Sequence, residues 1–353
     1  IGSANALGMA VLASQIEGLK GNYSVAAQQI QNIINQIKAQ EGGKESYEGM
    51  EGVFNFYNRL GNTPAPSITR PEGDVSVPID IEKVKLPTSV DPKGWRGTHI
   101  LIPVTVHGET YRFIFDTGAG TSFMSDSFAR KLGVKTLNDS LPINQNLSGA
   151  MSGKMGTLDS LQIGNITFHY PLITIAPPNA LDSVMKVDAI LGMDFISLFD
   201  ELRIYPKEGK IVFPATPTPL PASGRNLLFL DRALKLKAFA DGELLKLHFD
   251  TGCTTAGLFY EYYQKHKTEL DAIGKKEKNT GGGFNTVITK DILRLPSFHL
   301  RIGETPVKLQ NLSVDITQEG LQMIGEDGII GMDMVNLFNC VTVNLKDMFL
   351  KLE

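Results

Sequence analysis

One short stretch occurs twice in this chain and limits what it can fold into. Phe113-Ile114-Phe115-Asp116-Thr117-Gly118-Ala119 returns as Leu247-His248-Phe249-Asp250-Thr251-Gly252-Cys253. Each copy is an apolar run that ends in Asp-Thr-Gly and a small residue. Such a run predicts a buried strand. A carboxylate at the end of a buried strand is costly to leave unpaired. Two of them in matched settings predict one site built from two halves.

The repeat reaches beyond these residues. Asp116 and Asp250 are 134 positions apart, and Gly108-Glu109 and Gly242-Glu243 keep that offset. Leu161-Gln162-Ile163-Gly164 and Leu300-Arg301-Ile302-Gly303 are 139 apart. Ile190-Leu191-Gly192-Met193-Asp194 and Ile329-Ile330-Gly331-Met332-Asp333 share the second offset, as do Leu198-Phe199 and Leu337-Phe338. Anchors in one order with so little drift mean an internal duplication. Duplicated units can pair about a pseudo-two-fold axis, which sets equivalent residues opposite each other.

A chain of 353 residues exceeds a single small core. Residues 1–60 read as a helical N-terminal domain. Ile30, Ile33, Ile34 and Ile37 share one helix face, as do Met50, Val53, Phe54 and Tyr57. An earlier helix covers about 4–19 and stops near Gly21-Asn22, with Ser24 a candidate cap for the next. Leu19-Lys20-Gly21-Asn22-Tyr23 with Ala26 and Ala27 resembles the middle of a tetratricopeptide repeat, but one unit is not an array. A helical hairpin packed on the main body is favoured over a peptide-binding solenoid, and a pro-segment over the active site is a third reading. Residues 61–96 are proline-rich and read as an extended connector, with a strand at Val75 to Ile81. From 97 the texture turns to short strands, beginning with His99 to Val106. Residues 97–213 and 226–353 form the two related units, joined by a Pro-rich linker over 214–225.

The formal net charge is −4, and Lys275-Lys276-Glu277-Lys278 reads as a solvated loop, so no nucleic-acid partner is expected. Cys253 and Cys340 are the only cysteines, too few for a disulfide framework or a zinc cluster. No run of 18 apolar residues predicts a transmembrane segment. The chain starts at Ile1 rather than Met. If a leader preceded it, the expected place is extracytoplasmic, periplasmic or secreted; the residues show no signal peptide, and the compartment is open.

Asp-Thr-Gly alone recurs often by chance. Here an apolar strand precedes each copy, two apolar residues and a glycine follow 74 to 81 positions later, and a glycine-rich segment lies between. As a set, this resembles the aspartic peptidases: two retropepsin-like domains fused in one chain, like the two lobes of pepsin. The resemblance covers about 97–353. It implies a mainly β, acid-protease fold of two pseudo-symmetric lobes. It further implies endopeptidase action on a peptide or protein substrate, in an active unit formed within one chain and with no cofactor or metal. Two carboxyls about 3 Å apart share one proton. One acts as base toward water while the other protonates the carbonyl oxygen. Asp116 and Asp250 are the expected pair. Gly118 and Gly252 would let the backbone approach the carboxyls. Thr117 and Thr251, as the resemblance implies, would hydrogen-bond across the interface. Gly192 and Gly331 would let a helix start pack beneath each loop.

Two glycine-rich stretches are candidate flaps. One carries Gly149, Gly153 and Gly156; the other carries Gly281, Gly282 and Gly283. Neither contains a tyrosine, which fits the retropepsin type. Cys253 replaces Ala119 and reads as a small buried residue rather than a reactive thiol. His248 replaces Ile114 and shares a strand face with position 250. It is expected either to turn toward Asp250 or to be a satisfied strand histidine. The start Gly118-Ala119-Gly120-Thr121-Ser122-Phe123 is not a dinucleotide loop, because Phe123 stands at the third glycine's place. From another class, a non-catalytic peptide-binding protein that keeps the fold would also explain the unlike lobes and the added helices.

Overall fold

The computed structural model describes all residues except 1, 40–46, 62, 90, 138–140, 146–148, 178–188, 283–286, 320–322 and 324. The chain is mainly β, with three helices at its N-terminal end. These are Gly2–Leu19, Tyr23–Ala39 and Glu48–Leu60. In the second, Tyr23, Ala26, Ala27, Ile30, Ile33 and Ile34 are buried, the spacing of one helix face. The isoleucines pack against Val11, Met50, Phe54 and Tyr57 of the flanking helices. That helix starts at Tyr23, one residue ahead of the expected cap Ser24; the Asn22 carbonyl accepts from the Ala26 N–H at 2.9 Å. Tyr23 and Leu60 also meet Leu137 and Leu172, which fastens the helices to the β body.

The proline-rich segment 61–96 is extended but is more than a connector. It holds strands Ser67–Thr69, Val75–Pro78 and Asp80–Lys85. Val75–Pro78 pairs with Lys210–Phe213, and Asp80–Lys85 pairs with Trp95–Val106. A strand needs only a partner edge, and that edge lies far away in sequence.

A twelve-stranded sheet carries the first half of the β region and an eight-stranded sheet the second. A five-stranded sheet joins them. Its order is Val75–Pro78, Lys210–Phe213, Glu201–Tyr205, Val341–Asn344, Phe349–Leu352. The junction is antiparallel, Leu202 opposite Val343 and Ile204 opposite Val341, and all four side chains are buried. Beside it the buried Glu201 carboxylate accepts from the Thr218 N–H at 2.7 Å and from Asn344 Nδ2 at 2.6 Å. The Pro-rich run is thereby tied to the joining sheet.

Within each half, the strand that leads into Asp-Thr-Gly lies parallel to its apolar-apolar-glycine strand. Glu109–Phe115 pairs with Ala189–Leu191, and Glu243–Phe249 with Gly328–Ile330. The Asp116 N–H donates to Leu191 O and the Asp250 N–H to Ile330 O, both at 3.0 Å. Anchors 74 to 81 residues apart in sequence are strand neighbours in space.

Candidate active site

Each aspartate ends a strand whose last residues are buried on both faces, and the chain then turns back on the carboxyl. The Gly118 and Ala119 N–H groups donate to Asp116 Oδ1 at 2.8 and 3.0 Å. The Gly252 and Cys253 N–H groups donate to Asp250 Oδ1 at 2.7 and 3.1 Å. One oxygen of each carboxyl is thus held by its own loop.

The two loops meet face to face. A Cβ placed on Gly118 would stand 2.2 Å from Asp250 Cγ, and one on Gly252 would stand 2.3 Å from Asp116 Oδ2. Each carboxyl therefore lies against the other half's glycine, in space that no larger residue leaves. Through these glycines the two carboxyls are brought next to each other. Burial first, and then the neighbouring Asp116 charge, push the Asp250 carboxyl well above the usual carboxylate range. Such a pair titrates as a unit.

Beneath the carboxyls, the fully buried threonines Thr117 and Thr251 cross between the halves. The Thr117 N–H donates to Thr251 Oγ1 at 3.0 Å, and the Thr251 N–H donates to Thr117 Oγ1 at 3.0 Å. The hydroxyls donate in turn, Thr117 Oγ1 to Phe249 O at 3.0 Å and Thr251 Oγ1 to Phe115 O at 2.8 Å. Every polar atom of both side chains is used.

Gly192 and Gly331 lie beneath the loops. A Cβ on Gly192 would meet Ala119 O at 2.6 Å, and one on Gly331 would meet Cys253 O at 2.4 Å. The following N–H groups, of Met193 and Met332, donate to those same carbonyls at 2.8 Å. Next in each half comes an aspartate whose role the sequence did not reveal. Asp194 accepts from the Ser122 N–H at 2.9 Å and from Ser122 Oγ at 2.6 Å. Asp333 accepts from the Ala256 N–H at 2.8 Å. Burial raises both carboxyls above their ordinary range. They pin the loops from behind and do not join the facing pair.

The glycine-rich stretches lie on β-hairpins. Gly149–Thr157 pairs with Leu141–Gln145, with Gly153 opposite Leu141 and Gly149 opposite Gln145. Gly156 is nearer the root, opposite Thr136 and Ile173. Lys275–Gly282 pairs with Val287–Ile302, Gly281 opposite Ile288 and Gly282 opposite Val287. Gly283 lies outside the described residues. The basic run Lys275 to Lys278, expected as a loop, is strand. Opposite charges across the ladder help hold it there: Glu277 pairs with Arg294 and Lys278 with Asp291.

His248 does not turn toward the aspartates, and it is not a satisfied strand histidine. It is buried, its Nδ1 lies 3.5 Å from Glu326 Oε2, and neither ring nitrogen has a hydrogen-bond partner among the described residues. Lys235, opposite His248 in the ladder, pairs with the same carboxylate. That cross-strand neighbour decides the direction, and the sequence does not name it. The Cys253 thiol is pushed well above its ordinary value by burial and donates to Thr255 O at 3.1 Å.

Sequence reasoning also missed His99. Its Nε2 lies 2.9 Å from Gly252 O, so it reaches from the first half to the second loop. Its one signal was a polar residue at the head of an apolar strand.

Compared with known proteins, residues 102–195 match the family described as aspartyl protease. No curated protein matches the chain. Among solved structures, the chain is similar to the aspartic proteinase from Irpex lacteus, at 16% identity and a TM-score of 0.48. The likeness covers 78% of this chain and 96% of that one. No helix among the described residues is long and apolar enough to cross a membrane.

Proposed function

We propose that this aspartic-peptidase-like chain is an endopeptidase, with Asp116 and Asp250 as its catalytic pair. The observation that carries this is the closeness of the two carboxyls, each seated against the other half's glycine. At that separation one proton serves both groups. A water between them gives a proton to the charged carboxylate as its oxygen attacks the peptide carbon. The other carboxyl passes its proton to the carbonyl oxygen, which yields a tetrahedral diol. The carboxyl that took water's proton then gives it to the nitrogen, and the amine leaves as the C–N bond breaks. No acyl-enzyme forms: one proton leaves on the amine, a hydroxyl of the diol gives one back, and the pair again holds a single proton.

On this reading Thr117, Gly118, Thr251 and Gly252 hold the pair in place, and Gly192 and Gly331 seat the loops. An extended substrate would add to the cleft as a strand, gripped by backbone hydrogen bonds. The hairpins that carry Gly149, Gly153 and Gly156, and Gly281 and Gly282, would close over it and exclude water. Glycine-rich hairpins in both halves favour a retropepsin-like arrangement. Residues 1–60 adjoin the first hairpin at its root through Leu137, which lies just before it. The test is digestion of a diverse peptide mixture at acid to neutral pH, read by mass spectrometry for the parent and for Asp116→Asn. Cuts made by the parent alone support the reading. Binding that survives the substitution, with no turnover in the parent, would favour the peptide-binding alternative.

A further inference from the structure

The two catalytic loops are supported unequally from outside. The strand Trp95–Val106 is twelve residues long, while its counterpart Ala233–Ala240 has eight. The extra length of the first strand lies along the second loop. Gly97, at φ 58°, passes so close that a Cβ there would meet Thr254 Cβ at 2.5 Å. Thr98 Oγ1 accepts from Asn336 Nδ2 at 2.8 Å. His99 follows, 8% exposed, with Nε2 at 2.9 Å from Gly252 O. A carbonyl only accepts, so Nε2 carries the hydrogen. At the 134-residue offset, the matching position in the second half is Ala233, which has no side-chain donor to offer.

His99 is also placed against the aspartates. Leu101 pairs with Ile114 in the antiparallel ladder, so two further residues along set His99 across from Asp116. The ring thus touches one loop by hydrogen bond and lies within reach of the charge on the other loop's Asp116.

We propose that His99 is a positioning residue: it fixes the second catalytic loop at the Gly252 carbonyl and ties its own protonation to the charge on Asp116. This rests on the peptidase reading above. Other charged or titratable groups on the elements around it are Glu82, opposite it on the next strand, and Asp250, Cys253 and Asp333 from the second half. Glu82 is exposed and ion-paired with Arg112. The Cys253 thiol is held neutral by burial. Burial also lowers the His99 pKa, against the pull of Asp116 and of the Gly252 carbonyl, so the ring is neutral until the medium is acid. Once protonated it is a cation beside the catalytic pair. It then favours the singly ionised pair and carries activity to lower pH.

The test is the pH profile of kcat/KM on a peptide the parent cleaves, for His99→Ala and His99→Gln. Glutamine keeps an N–H donor at the Nε2 position without the charge. Alanine is expected to lose about tenfold in kcat across the profile, the effect of one orphaned buried carbonyl. Glutamine is expected to recover most of that loss, while its acid limb moves up by about one pH unit. An alanine variant with the parent's profile overturns the proposal. A glutamine variant with an unmoved acid limb overturns the coupling. If the parent cuts nothing, the peptidase reading fails on its own, and the His99 ring is followed by NMR instead. Asp116→Asn should then lower the pKa of His99 relative to the parent, and an unchanged value refutes the contact.

Discussion

Valine in place of Thr117 keeps the branched shape and removes one hydroxyl. That hydroxyl donates to Phe249 O and accepts from the Thr251 N–H, and the site is fully buried. Its loss orphans two backbone groups that water cannot reach. Each costs about 1–3 kcal/mol, so the change should destabilise the protein by about 2–6 kcal/mol. Serine keeps the hydroxyl and gives up one methyl, about 1 kcal/mol. The assay is urea unfolding followed by fluorescence. Trp95 is the only tryptophan and stands at the start of the strand that runs to the second loop. Its ring has Lys83 Nζ 4.1 Å from the centroid, so unfolding of the strand should change its emission. With a slope of about 3 kcal/mol per molar urea, the valine midpoint should fall by about 0.7–2 M and the serine midpoint by about 0.3 M. A valine variant that unfolds with the parent would refute the reasoning. So would a serine variant as weak as the valine one, because the hydroxyl would then not be what matters.

Gly252→Ala should cost at least about a hundredfold in kcat, since its Cβ would stand 2.3 Å from Asp116 Oδ2 and force the carboxyls apart; steady-state kinetics with circular dichroism to check folding reads this. Ser122→Ala copies the second half's Ala256 and removes the hydroxyl that donates to Asp194 and accepts from the Gly192 N–H at 2.8 Å. It should destabilise by about 1–3 kcal/mol in the same urea assay. The raised pKa of Asp250 gives a pH-dependent stability. The fold favours the neutral carboxyl, so this contribution is full below the ordinary value of 3.8 and is lost as pH rises through the folded value. Asn stays neutral throughout, so Asp250→Asn should unfold later than the parent near neutral pH and alongside it in strong acid. Equal gains at both pH values would refute that account.

The doubling of Phe115-Asp116-Thr117-Gly118 as Phe249-Asp250-Thr251-Gly252 made the two halves and their meeting point legible. The paired anchors Ile190-Leu191-Gly192 and Ile329-Ile330-Gly331 turned out to be the strands beside the aspartates. Repetition is visible in sequence because both copies must answer the same packing problem. Contacts made only once leave no such trace. Val75 to Ile81 read as a strand in a connector, but Lys210–Phe213, the partner of the observed Val75–Pro78, lies over a hundred residues on. His99 meets Gly252 from 153 residues away, and nothing at position 233 echoes it. For His248 the period of two gave a face but not the neighbours on it, and Glu326 with Lys235 settled its direction. Asp194 was legible as an anchor and not as the group that pins Ser122, since a conserved-looking spacing does not say which atoms touch.

The central claim is that Asp116 and Asp250 act as one catalytic unit. The most direct measurement is kcat on the best-cleaved peptide for Asp116→Asn, Asp250→Asn and the double variant. Members of a unit are grossly non-additive. Each single variant should therefore be as inactive as the double, with all three folded. A single variant that keeps activity within about tenfold of the parent, or losses that multiply in the double, would contradict the account.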